Sequence, residues 1–139
     1  MNVKEYLSQA YRIDRRIDSK LSQIQSLREL ASKATSTITS MPRSPSPNLQ
    51  PIETIVARIA ELEGEIVRDI DLLIDVKTEL YGTIKRVGNI RQQMLLELRY
   101  LCFNTWEQIA EAMGINIRWT HRLHTRAVEE FTMLTTKSH

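Results

Sequence analysis

Apolar residues recur at steps of three and four along two long stretches of the chain. In the first, Val3, Leu7, Ala10, Ile17, Leu21, Ile24, Ala31 and Ile38 form a stripe on one side of a helix. In the second, Ile52, Ile55, Ile59, Leu62, Ile66, Ile70, Leu73, Val76, Leu80, Ile84 and Val87 continue the pattern for about ten turns. Each stretch predicts a helix of about 35 residues, about 50 Å long at the helical rise. Between them lie all four prolines, Pro42, Pro45, Pro47 and Pro51, whose fixed φ and missing amide donors exclude helix over 41–51. A narrow apolar seam flanked by charge cannot be buried by its own helix, so the two seams are expected to face each other in an antiparallel, coiled-coil-like hairpin over 1–88. Gly64 and Gly82 each cost about 1 kcal/mol of helix propensity and are expected to allow close approach or to mark breaks.

The long period ends at Gly88-Asn89, where glycine commonly follows a helix terminus and asparagine tolerates left-handed backbone. From there to 139 a second unit is expected. Ile90 to about Phe103 carries Met94, Leu95, Leu98 and Leu101 at helical spacing. A short helix from Trp106 to Met113 follows, presenting Ile109, Ala110 and Met113 inward and stopped by Gly114. Its cap is either Asn104 with Glu107 or Thr105 with Gln108. Asn116 is placed to cap a longer helix from Ile117 to about Leu134. At 100° per residue, Ile117, Thr120, Leu123, His124, Ala127, Val128, Phe131 and Leu134 share one face, and Arg118, Arg122, Thr125, Arg126 and Glu129 the other. A short helix, a glycine-containing turn and a longer helix with a basic outer face make a helix-turn-helix pattern. The fold class is therefore all-α.

Composition refines this picture mainly through its distribution. The 139 residues carry a net charge of only +2, too mild for a polybasic binder and too balanced for a disordered acidic chain. Residues 1–40 hold seven basic and four acidic side chains, and residues 52–88 hold five basic and eight acidic. These opposite signs favour pairing of the two helices with each other. No apolar run reaches the ~18 residues of a membrane span, and Met1-Asn-Val-Lys-Glu-Tyr lacks a signal peptide's apolar stretch. A soluble, intracellular protein with no membrane partner is expected. The single Cys102 has no disulfide partner and is expected to be buried.

The sequence Leu98-Arg-Tyr-Leu-Cys-Phe-Asn-Thr-Trp-Glu-Gln-Ile-Ala-Glu-Ala-Met-Gly-Ile-Asn-Ile117, followed by Arg122-Leu-His-Thr-Arg-Ala127, resembles the promoter-reading carboxyl-terminal domain (region 4) of bacterial sigma factors. The whole chain is similar to small phage and prophage proteins of the sigma-like late-transcription-regulator group. That resemblance implies a sequence-specific DNA-binding regulator that activates late genes in the cytoplasm of a bacterial host, with double-stranded promoter or operator DNA as partner and RNA polymerase as a further one. It implies that Thr105 meets a phosphate through its amide and hydroxyl, and that Arg118, His121, Arg122 and Thr125 point to the major groove. Arg126 would add a phosphate contact, and Asn116 caps the helix or touches the DNA backbone. Trp119 either packs on the rest of the protein or contacts DNA or a partner. Two departures stand out: Thr120 and His124 occupy positions where sigma-like recognition helices usually place apolar core residues, which leaves the helix rotation open.

One helix-turn-helix offers few base contacts, so a homodimer with the hairpin as its surface is expected. The chain is not a complete sigma factor, since nothing in it resembles that family's aromatic-rich promoter-melting helices. Enzyme activity, cofactors and a metal site are not expected: there is no phosphate loop, no nucleophile with a base and no paired-carboxylate motif, and His121 and His124 lack a third ligand. Two rival readings remain open. One is a coiled-coil adaptor or a protein that binds sigma factor or RNA polymerase; the other is a DNA-packaging protein like a terminase small subunit.

Overall fold

A computed structural model describes residues 2–39 and 50–137. These residues are all-helical: α1 (Val3–Leu7), α2 (Gln9–Thr39), α3 (Gln50–Ile84), α4 (Ile90–Tyr100), α5 (Trp106–Met113) and α6 (Ile117–Lys137). The proline-rich connection lies outside the described residues except at its end. There, α3 already begins at Gln50 and takes Pro51 into its first turn. The expected exclusion of helix fails at that position because first-turn amides have no intrahelical acceptor, so a proline costs nothing there.

The chain divides into two compact units, Asp14–Asp71 and a unit comprising the residues up to Ile13 together with Leu72 onward. In the first, α2 and α3 run antiparallel, with Ile17, Ile24, Leu62 and Ile66 buried in the seam. Charge pairing across the two helices has the expected sense: Lys20 Nζ lies 2.6 Å from Asp69 Oδ2 and 3.6 Å from Glu65 Oε1, and Arg16 Nη2 lies 3.2 Å from Asp69 Oδ1. The seam departs from the sequence pattern at this level. Asp69 is only 8% exposed whereas its neighbour Ile70 is 41% exposed, and Leu21 is also exposed. A stripe of threes and fours tolerates a rotation of one residue, and the Lys20–Asp69 pair selects the register that the apolar spacing leaves free. The hydrogen bond from Lys20, assisted by the charges of Lys20 and Arg16, outweighs burial and holds the Asp69 carboxyl below its ordinary value. Neither internal glycine acts as expected. α3 runs unbroken through both, a Cβ on Gly82 would meet nothing within 4 Å, and one on Gly64 would meet only the end of Arg68 at 3.7 Å.

In the second unit, one apolar core gathers Leu7 and Ala10 from the start of the chain, Leu80, Ile84 and Val87 from the end of α3, Leu96 and Tyr100 from α4, and Ala127 and Phe131 from α6. α1 is capped by Asn2, whose Oδ1 accepts from the Glu5 amide. It passes into α2 through Ser8, which keeps αR backbone and the i to i−4 hydrogen bonds on either side. Tyr6 packs on Phe131 with ring centroids 5.9 Å apart, and its hydroxyl donates to Glu79 Oε1 at 2.8 Å. Burial and that carboxylate push the phenol up to about 12. α3 ends at Ile84, before Gly88; among the described residues the only glycine with positive φ is Gly114. Asn89 is extended and caps α4 by accepting from the Gln92 amide at 3.0 Å. Gln93 of α4 donates back to the carbonyls of Lys85 and Val87, tying the turn to the helix after it.

The Asp69 pair yields the first prediction. Asp69→Ala should lower stability by about 1–3 kcal/mol in urea denaturation, because it strands Lys20 with the more distant Glu65 as its remaining partner. That wild-type advantage is present above the ordinary carboxylate pKa and is lost as the pH falls through the depressed one.

Candidate nucleic-acid interface

α4, α5 and α6 pack on one another, and the local chemistry of the chain sets each junction. After Tyr100, Phe103 takes a left-handed backbone, φ 58, which costs a non-glycine residue about 1–2 kcal/mol. The surroundings hold it there: the Phe103 ring meets Tyr11 edge-on at 5.6 Å, Lys77 Nζ sits 4.8 Å from its centroid, and Arg99 Nη1 donates to the Asn104 carbonyl at 2.9 Å. Cys102, in the same turn, is exposed rather than buried, because the helix has already ended at Tyr100 and its periodicity no longer aims side chains at the core.

The start of α5 is the Thr105 and Gln108 capping box. Thr105 Oγ1 accepts from the Gln108 amide at 3.2 Å, and Gln108 Oε1 accepts from the Thr105 amide at 2.8 Å. The Thr105 amide is thus engaged within the cap, leaving its hydroxyl proton as the group to offer a phosphate. Ile109 and Ala110 are buried against the neighbouring helices and Met113 is half-buried. Gly114 ends α5 with φ 67 and ψ 33, and the Ile115 amide reaches back to the Ala110 carbonyl at 3.0 Å. This is the turn that glycine makes accessible. Asn116 Oδ1 accepts from the Trp119 amide at 2.8 Å, which is the capping role.

Within α6, Thr120, Ala127 and Phe131 are fully buried, and Leu123, His124, Val128 and Leu134 are half-buried. Ile117, expected on this face, is 43% exposed, because in the first turn the face has moved past the end of the packed helices. The two polar departures are accommodated in different ways. Thr120 Oγ1 donates to the Asn116 carbonyl at 2.8 Å, so its hydroxyl is satisfied inside its own helix. His124 Nε2 lies 2.6 Å from the Tyr100 hydroxyl, and with the ring neutral the phenol is the natural donor. Burial first, then the charges of Arg99, His121 and Lys4, push His124 down to about 4. Burial likewise raises Tyr100. Trp106 completes this cluster: its ring lies 4.7 Å from both His121 and His124, and Arg99 stacks at 4.3 Å. The arginine and tyrosine partners of these histidines were not legible in the sequence, since they come from α4, about 24 residues upstream of His124.

On the opposite face Arg118, His121, Arg122, Thr125 and Arg126 are all exposed. Thr125 Oγ1 donates to the His121 carbonyl at 3.1 Å. Trp119 is 52% exposed and stands beside this face, with the Arg122 guanidinium 5.3 Å from its ring. None of the three arginines forms an ion pair with a carboxylate among the described residues. The helix thus carries a file of exposed cations outside any ion pair among the described residues.

The depressed His124 value gives a signed pH dependence. Above about pH 6.5 neither the folded nor the unfolded chain binds the proton. Between 6.5 and about 4 only the unfolded chain does, so stability falls on acidification and levels off below about 4. Comparison of urea midpoints from pH 7.5 to 4 should show the wild type losing stability relative to His124→Leu across that window. Compared with protein-family models, curated proteins and solved structures, the chain finds no match.

Proposed function

We propose that the protein is a sequence-specific DNA-binding transcription regulator of phage or prophage genes, acting through α5, the Gly114 turn and α6, with α6 as the recognition helix. The observation that carries this reading is the exposed file Arg118, Arg122 and Arg126, outside any ion pair among the described residues, on a helix whose other face is anchored by Thr120, Ala127 and Phe131. An arginine presented this way can give two parallel hydrogen bonds to guanine O6 and N7. The Thr105 hydroxyl at the start of α5 suits a phosphate contact that fixes orientation without reading sequence. Late-gene activation and contact with RNA polymerase belong to the same reading through the sigma-like resemblance.

The proposed assembly is a homodimer formed through the hairpin. In the Asp14–Asp71 unit, Leu21, Val56, Val67 and Ile70 expose large apolar side chains, and a second copy would cover them. The same residues favour the rival reading of a coiled-coil adaptor, in which they grip a different protein.

Two measurements test these points. In a genome-wide pull-down of purified protein at moderate salt, a recurring DNA sequence should be recovered, and Arg122→Ala should weaken binding to it about tenfold or more, as expected for loss of a bidentate base contact. Absence of any sequence preference, or unchanged binding by the variant, sinks the DNA reading and leaves the adaptor. Light scattering after size exclusion should give twice the 16.2 kDa chain mass; a strict monomer removes the dimer.

A further inference from the structure

One groove of the second unit joins the face assigned to base reading to a residue of another helix. Arg91, in the first turn of α4, shares a groove with Arg122 and Arg126 of α6; Ile115 and Leu123 form its apolar lining and Trp119 its wall. Arg91 is exposed and has no carboxylate partner among the described residues. Three arginines from two helices therefore line one concavity, none of them in an ion pair with a carboxylate among the described residues. An arginine in the first turn of a helix also stands against the positive end of the helix dipole, so intrahelical electrostatics gives no reason for its position. Arg122 additionally stacks by Trp119, which limits the directions in which its planar fork can point.

We propose that this groove seats a phosphodiester of the DNA backbone, with Arg91 from α4 and Arg126 from α6 gripping the strand that lies beside the recognition helix and Arg122 left to base reading. The inference rests on the DNA reading above and extends it to a residue and a helix that reading does not use. A phosphate suits the site better than an extended acidic peptide. The groove is short, its cations sit on both banks, and it is continuous with the exposed arginine file of α6. A guanidinium pair meets phosphate oxygens through two parallel hydrogen bonds, while the half-exposed Trp119 ring offers an apolar surface to the adjoining deoxyribose. Because α4 and α6 pack on each other, a phosphate held between them would set the angle at which α6 enters the groove of the duplex. Arg91 would be a positioning residue rather than a base-reading one.

The test uses the full chain and two fluorescent 30-base-pair duplexes, one carrying the sequence recovered in the pull-down and one scrambled, titrated by anisotropy over a series of salt concentrations. Arg91→Gln should weaken binding to both duplexes by the same factor, about three- to tenfold at 0.1 M salt, lower the slope of log affinity against log salt by about 1, and leave the preference between them intact. Arg91→Lys, which keeps the charge, should retain most of the slope. Arg118→Gln, outside the groove, should instead reduce the preference. Circular dichroism melting should be unchanged in Arg91→Gln, since the side chain is exposed. If Arg91→Gln keeps wild-type affinity and slope while Arg118→Gln loses preference, the groove proposal is overturned and the DNA reading stands. If the wild type binds neither duplex at 50 mM salt, both fall. If a polyglutamate peptide binds the wild type but not Arg91→Gln, and DNA binding is indifferent to the substitution, the groove is a site for acidic protein and the proposal is likewise overturned.

Discussion

Phe131 is fully buried, and residues from five helices close around it or share its core: Leu7 of α1, Ala10 of α2, Leu80 and Ile84 of α3, Leu96 and Tyr100 of α4, and Ala127 of α6. Removing a buried ring of this kind leaves a cavity that costs about 3–5 kcal/mol. The short helices cannot stand alone: α4 has 11 residues and α5 has 8, below the length at which isolated helices persist in water. The helix-turn-helix is therefore stable because the ends of the long helices complete its core. Everything exposed on α6 inherits its direction from that packing.

Two polar side chains show how tightly the packing constrains α6. At positions where an apolar residue would be simplest, Thr120 and His124 turn inward. A buried hydroxyl without a partner costs about 1–3 kcal/mol, and Thr120 avoids this by donating to the carbonyl four residues earlier. His124 is kept neutral by burial and held by the Tyr100 hydroxyl, with Trp106 packed at its edge. Both solutions keep the rotation of α6 that presents Arg118, Arg122 and Arg126 to solvent. Polar chemistry in the interior and cationic chemistry outside are two consequences of one orientation.

In the hairpin, charge settles what apolar spacing leaves degenerate. Ile66, Asp69 and Ile70 are all consistent with a stripe of threes and fours, yet Asp69 is turned inward to Lys20 and Ile70 outward. The opposite net charges of 1–40 and 52–88 anticipated the pairing of these helices but not the residue through which it would be expressed. The same limit applies to Cys102 and Ile117. Each sits at a helix end, where periodicity still assigns a face although the neighbouring helices no longer provide one to pack on.

What the sequence determined by itself was local: helices wherever apolar residues recur at helical steps, a cap at Asn104 or Thr105 and another at Asn116, the turn at Gly114, and the basic face of α6. Each of these depends on residues within about four positions of one another, so one-dimensional spacing is enough to read them. Only the tertiary structure decided which groups from distant segments meet. It set Arg99 on Trp106 and Tyr100 on His124, brought Arg91 into one groove with Arg122 and Arg126, and placed the first turns of the chain in the core of Phe131. The reason is physical: such meetings follow from how several helices minimise exposed apolar area together, and no single segment carries that information.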